Sequence, residues 1–219
     1  AIVYFDGFNS YNGCFNNPRR SPDWKQYKWL DLAAYAKRAV AQYQIEHIRY
    51  FTARVKPLPY DRGAPQRQAE HLRALKTIPN LTIHEGRFYL QAKWRYLAHQ
   101  DPRKKTHAFP LKKARVIIPE GKGSDVNLAS HLLADGFRGD YDVAIVVSND
   151  SDLAEPIHIV CSELQKRIVL MNPHVDVAWH LRGIVGTDYR KVRLGPIKAS
   201  QFPATLSDSA GSISKPQSW

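Results

Sequence analysis

Apolar residues in this chain gather first in short unbroken runs. Ile2 to Phe5, Val143 to Val147 and the stretch Arg167 to Met171 are bounded by polar residues and rich in β-branched side chains. Runs of that length, apolar on both faces, predict strands buried inside a parallel sheet. Ile45 to Val55 alternates and predicts another strand, ended by Pro57 and Pro59, and Leu81 to Glu85 predicts a further short one. Between the runs the spacing becomes helical. Leu32, Ala36, Ala39, Val40 and Tyr43 share one stripe, and Ala69, Leu72 and Leu75 another within a helix over 66–76. Val126, Ala129, Leu132 and Leu133 follow Ser124 as N-cap, and Leu153, Ile157, Val160 and Leu164 follow the 148–152 turn. A short closing helix is expected within 174–184. The alternation implies an α/β fold with a central parallel sheet, wound right-handedly and covered on both faces. Asn12, Gly13, Asn16, Asn17 and Pro18 predict a loop after the first strand. From Ser200 onward the chain is rich in Ser, Ala and Gly without apolar periodicity, so the domain is drawn at 1–198 with a mobile tail at 199–219.

Residues 86–118 break the rhythm and predict a hairpin insertion, Phe88 to Leu97 and Lys112 to Ile118, around a charged loop. The segment carries Arg87, Lys93, Arg95, Arg103, Lys104, Lys105, Lys112 and Lys113, with Phe88, Tyr89, Trp94, Tyr96 and Phe109 interleaved. Basic side chains neutralise phosphates and aromatic rings stack on unpaired bases, so the segment is read as a polyanion track. A solvated hairpin whose rings pack on the domain is the competing reading for the aromatics. The formal net charge of +12 and pI near 9.7 favour a polyanionic partner. No stretch approaches the ~20 apolar residues of a membrane span. No signal peptide is visible, and Cys14 and Cys161 lack the spacing of metal ligands, so a reduced, cytoplasmic protein is expected.

Acidic residues then fall where strands end or helices begin. Asp6 follows the first strand, Asp125 opens a helix, and Asp150 and Asp152 sit in the turn after Val147. Each alone could be a cap or a turn residue. Together, at the carboxyl edge of a parallel sheet, they form a set of oxygen donors suited to Mg²⁺ or Mn²⁺. Such a cation activates water and neutralises charge on a phosphoryl group, the chemistry of phosphodiester hydrolysis. Gly121 and Gly123 allow backbone amides to approach a phosphate beside Lys122. Asp142 precedes its strand, at the opposite edge, and is left out.

The segments Val3-Tyr4-Phe5-Asp6-Gly7-Phe8-Asn9, Lys28-Trp29-Leu30-Asp31-Leu32, Glu120-Gly121-Lys122-Gly123-Ser124-Asp125-Val126-Asn127-Leu128-Ala129 and Val147-Ser148-Asn149-Asp150-Ser151-Asp152-Leu153 resemble the NYN domain. The resemblance is to the LabA-like (DUF88) branch of the PIN-like nuclease superfamily, and it spans roughly residues 2–172. It implies a PIN-like, Rossmann-like three-layer fold and a metal-dependent nuclease, usually acting on RNA rather than DNA. Carried over, Asp6, Asp125, Asp150 and Asp152 are the metal-site acids and Asn9 orients substrate or water. Glu120, Ser148 and Asn149 support the acids from behind. A module that binds nucleic acid without cutting it is the alternative, with a second copy or protein partner docking on the tail.

Overall fold

A computed structural model describes residues 1–98, 112–185 and 188–217. The first strand, β1 (Ile2–Asp6), leads into α1 (Gly7–Cys14); a short 3-10 helix over Pro22–Tyr27 precedes α2 (Leu32–Ala39). Then come β2 (His47–Ala53), α3 (Ala64–Leu75), β3 (Leu81–Tyr96), β4 (Lys113–Lys122) and α4 (Ser124–Arg138). β5 (Val143–Val147), α5 (Ala154–Ser162), β6 (Arg167–Asn172), α6 (Trp179–Val185), β7 (Tyr189–Lys191) and α7 (Leu194–Lys198) follow. A separate hairpin, β8 (Thr205–Asp208) and β9 (Gly211–Ser214), ends the described chain.

Seven strands form one sheet in the order β4-β3-β2-β1-β5-β6-β7, parallel throughout except for the β3–β4 pair. Alternation along the buried strands builds two cores. Val3, Phe5, Ile145 and Val147 pack with Tyr35 of α2 and Leu72 of α3. Ile2, Tyr4, Ala144 and Val146 face the other way, against Leu128 and Leu132 of α4, Ile157 of α5 and Leu181 of α6. This is the expected α/β arrangement, helices on both faces of a mainly parallel sheet.

Four local expectations change. The segment Gly7–Cys14 is a helix, so the expected loop begins only at Phe15; Asp6 caps the helix by accepting from the Asn9 N–H at 2.9 Å. Tertiary contact overrides its poor intrinsic propensity, and Gly7 lies so close to β2 that a Cβ there would meet the Phe51 carbonyl oxygen at 2.7 Å. Helix α4 begins one residue earlier than expected, because Gly123, at φ +86°, takes the cap position and Ser124 becomes the first helical residue. The closing helix starts at Trp179, not near His174. The stretch read as a mobile tail holds a hairpin, β8–β9, that touches the domain. Phe202 and Ile213 are buried, and Arg73 of α3 grips Asp208 through two hydrogen bonds of 2.6 and 2.7 Å.

The third strand supplies the insertion without a break. Its first six residues pair with β2 inside the sheet, and its last ten pair with β4 as a two-stranded arm. At a rise of ~3.3 Å per residue the arm extends roughly 30 Å past the carboxyl edge of the parallel strands. Residues 99–111, which include Arg103, Lys104, Lys105 and Phe109, lie outside the described residues.

Candidate metal centre

The chain leaves β1 towards β2 on one side and returns at β5 on the other, so the order of strands reverses between β1 and β5. A crevice at such a reversal is where ligands bind in open α/β sheets. Phe5 is in register with Val147, which sets Asp6 beside Ser148 at the edge. Helix α4, delivered by the returning strand β4, brings Asp125 in its first turn. One carboxylate oxygen from each of Asp6, Asp125 and Asp150 lies within 4.8 Å of the others.

The acid nearest the core is Asp6, 3% exposed. It accepts from the Asn9 N–H at 2.9 Å and from the Ser148 hydroxyl at 2.9 Å. Burial pushes its carboxyl up to about 6; the two hydrogen bonds oppose the rise, and the charges of Asp125 and Asp150 add to it. Partial burial also raises Asp125, followed by the charges of Asp150 and Asp152. Among the described residues no lysine or arginine forms an ion pair with Asp6, Asp125 or Asp150. Three carboxylates, no thiol and no imidazole, with their mutual repulsion uncompensated, fit a hard divalent cation.

The polar residues around the acids hold the loop. Asn9 accepts the Asn149 N–H through its side-chain oxygen at 2.8 Å, and Asn149 accepts the Ala178 N–H at 3.0 Å. The Asp150 N–H donates to the Ser148 hydroxyl at 3.1 Å. Asn9, Ser148 and Asn149 therefore fix where Asp6 and Asp150 stand. The cap reading of Asp150 is also true, since one of its oxygens accepts from the Asp152 N–H at 3.1 Å.

Not every residue singled out in the sequence joins this group. Asp152 is exposed, lies outside the three-carboxylate cluster and acts on Asp125 through its charge. Glu120 sits on the arm, where Lys93 donates to it at 2.8 Å and Lys122 stands 3.7 Å away. Arg87, Arg95, Lys112 and Lys113 are exposed on or beside the arm.

A cleft beside the acids has no counterpart in the sequence pattern. It measures about 820 Å³ and is bordered by Tyr11, Lys28, Tyr35, Tyr50, Arg67 and His71 as well as by the three acids. Burial lowers the Lys28 ammonium, with Arg67 and Lys25 adding to the effect. Arg67 is anchored by Asp61, whose two oxygens accept at 2.5 and 2.6 Å. These residues come from α1, the α1–α2 connection, α2, β2 and α3, and no local spacing links them.

The model of the NYN domain matches residues 1–183. The chain belongs to the NYN domain family. NYN domains are part of the PIN-like nuclease superfamily, and nuclease activity is the general expectation that membership carries. A 6-hydroxy-3-succinoylpyridine 3-monooxygenase from Pseudomonas putida is 26% identical over 246 aligned positions, covering 99% of this chain and 74% of that protein. The fold is shared with a protein of unknown function from Vibrio parahaemolyticus, at a TM-score of 0.50 and 14% identity over 92% of this chain and 94% of the other. Among the described residues no helix is long and apolar enough to cross a membrane.

Proposed function

We propose that this NYN protein is a metal-dependent ribonuclease of the LabA-like branch, hydrolysing phosphodiester bonds in single-stranded RNA. The observation that carries the reading is the trio of carboxylates within 4.8 Å at the β1–β5 reversal, with no basic partner among the described residues. Asp6, Asp125 and Asp150 hold Mg²⁺ or Mn²⁺, with Asp152 at the margin. When bound, the cation makes a water more acidic and neutralises charge on the phosphoryl group. The chain's own residues do the positioning. Ser148 and the Asn9 N–H orient the Asp6 carboxylate, and the Asn9–Asn149 bond keeps the Asp150 turn against the start of α1. The choice of RNA rests on the family resemblance, and the net charge of +12 suits any polyanion.

Labelled RNA incubated with Mn²⁺, then with EDTA, tests this reading. Cleavage is expected with metal, lost on chelation and lost in Asp150→Asn. Cleavage that survives either treatment overturns the metal mechanism. RNA binding without turnover under every divalent cation would leave a regulatory binding module.

A second reading is favoured by one observation. The Pseudomonas relative is by name a monooxygenase of a pyridine, and the cleft of about 820 Å³ beside the acids is the size of a small-molecule site. In that reaction one oxygen atom of O₂ enters the ring and the other leaves as water, with two electrons from an external reductant. Oxygen uptake dependent on a hydroxypyridine and a two-electron donor would support it, and no uptake would remove it.

A further inference from the structure

In a strand, successive side chains point to opposite faces, so the arm sorts its residues by parity. Arg87, Lys93 and Arg95 of β3 share one face with Lys122 and Glu120 of β4. The Lys93–Glu120 bond at 2.8 Å confirms that grouping. Phe88, Trp94 and Tyr96 lie on the opposite face, where register sets Arg115 across from Trp94 and Lys113 across from Tyr96. Of the arm's aromatic residues, Tyr89 falls on the face of Arg87, Lys93 and Arg95, while Phe88, Trp94 and Tyr96 share the other with Lys113 and Arg115. The aromatic face, not the more basic one, leads to the acids. At its root Phe88 packs on Phe8 of α1, ring centroids 6.0 Å apart, and Phe8 and Phe88 both border the cleft that holds Asp6, Asp125 and Asp150.

Further out, the same face is exposed to solvent: Trp94 is 64% exposed, Tyr96 52% and Ile117 56%. Large rings are left in water where something covers them in use. The cations beside them say what kind of partner it is. The Lys113 ammonium stands 4.7 Å from the Tyr96 ring centre, and Arg115 is exposed opposite Trp94. Flat rings flanked by cations match a chain of unpaired bases linked by phosphates, whereas an apolar protein surface would leave Lys113 and Arg115 desolvated without a counter-charge.

We infer that the Phe88–Trp94–Tyr96 face of the arm, with Lys113 and Arg115, is a binding track for single-stranded nucleic acid leading into the acid cleft. This rests on the nuclease reading of that cleft for the identity of the polymer. From Phe88 to Trp94 is six residues, or roughly 20 Å at ~3.3 Å each, so several nucleotides are held before the scissile bond. Substrates must then be unpaired beyond the cleft on the arm side.

The experiment is fluorescence anisotropy on the full chain in EDTA, with a labelled single-stranded RNA and a hairpin duplex of the same composition. Without divalent metal nothing is cut, so the result is independent of whether the protein is a nuclease. Trp94→Ala and Tyr96→Ala should each weaken single-strand binding about tenfold, the loss of one stacked base, with duplex binding unchanged. Arg115→Ala should reduce the dependence of log affinity on log salt by about one. Trp94→Phe, which keeps a ring, should restore most of the affinity. The inference is overturned if the two alanine variants bind single strands like the parent, or lose duplex affinity equally. It is also overturned if they only dissociate a dimer in sedimentation runs, which would make the face a contact between copies.

Discussion

Asp6 and Asp135 are both buried aspartates, 3% and 0% exposed, and they are served in opposite ways. Asp135, on α4, accepts from the Tyr4 hydroxyl at 2.6 Å, from Arg49 at 2.6 and 3.0 Å, and also from Arg138. Asp6 accepts one backbone N–H and one serine hydroxyl, and its charged neighbours are two more carboxylates. Tyr4 and Asp6 are two residues apart on β1, so they point to the same side of the sheet. One end of that face is thus a closed ion network and the other an open negative pocket. A buried carboxylate with cations around it ties elements together. A buried carboxylate beside its own kind strains the fold until a positive charge arrives from outside.

Removing the closed network should have the largest effect. Asp135→Ala leaves Arg49 and the Tyr4 hydroxyl without their acceptor, and urea unfolding should show a loss of about 3–5 kcal/mol. A variant as stable as the parent would mean the network is ornamental and the contrast is empty. Next in size, Mn²⁺ at a hundred times its dissociation constant should stabilise the parent by about 2.7 kcal/mol. Asp6→Asn and Asp150→Asn should abolish that gain, and an unchanged gain would put the cation elsewhere. Smaller again is the effect of Asp6 on the metal-free fold. Its folded carboxyl, at about 6, holds a proton more tightly than in the unfolded chain, where 3.8 is ordinary. The folded form therefore binds more protons between about pH 4 and 6, and stability from this group falls as pH rises through that window and is flat above it. In EDTA at neutral pH, Asp6→Asn should gain about 1–2 kcal/mol over the parent and lose that slope. A loss of stability at neutral pH would show Asp6 to be structural, like Asp135.

The same contrast shows what could be read before folding. Asp6, Asp125 and Asp150 were legible because each follows a strong apolar run or opens a periodic helix, so their shared edge follows from topology alone. The partners of Asp135 were not, since Arg49 lies 86 residues away and meets it only through the packing of α4 on β2. Helix α1 was hidden because Asn and Gly disfavour helix in isolation, and its cap and its fit against Phe51 are tertiary facts. The docked end of the chain was hidden for a related reason: Phe202, Ile213 and the Arg73–Asp208 pair are too few to create periodicity. In the arm the alternation was present in the letters. Its meaning depended on β3 running unbroken from Leu81 to Tyr96, where the sequence suggested two strands.

The smallest prediction concerns where the open pocket ends. Asp150 and Asp152 are two residues apart, and the turn separates their roles: Asp150 presents an oxygen to the trio while also capping the Asp152 N–H. Asp152 is exposed, so its charge reaches the pocket largely through solvent, and such interactions are weak. It also raises Asp125, so its removal lets Asp125 ionise more readily and offsets part of any lost attraction for a cation. Titration calorimetry with Mn²⁺ should therefore find Asp152→Asn weakened by no more than about fivefold, the range of an exposed charge pair. Asp150→Asn should lose measurable binding. Equal losses would extend the pocket to four acids, and its boundary would then lie at the solvent edge of the turn rather than at Asp150.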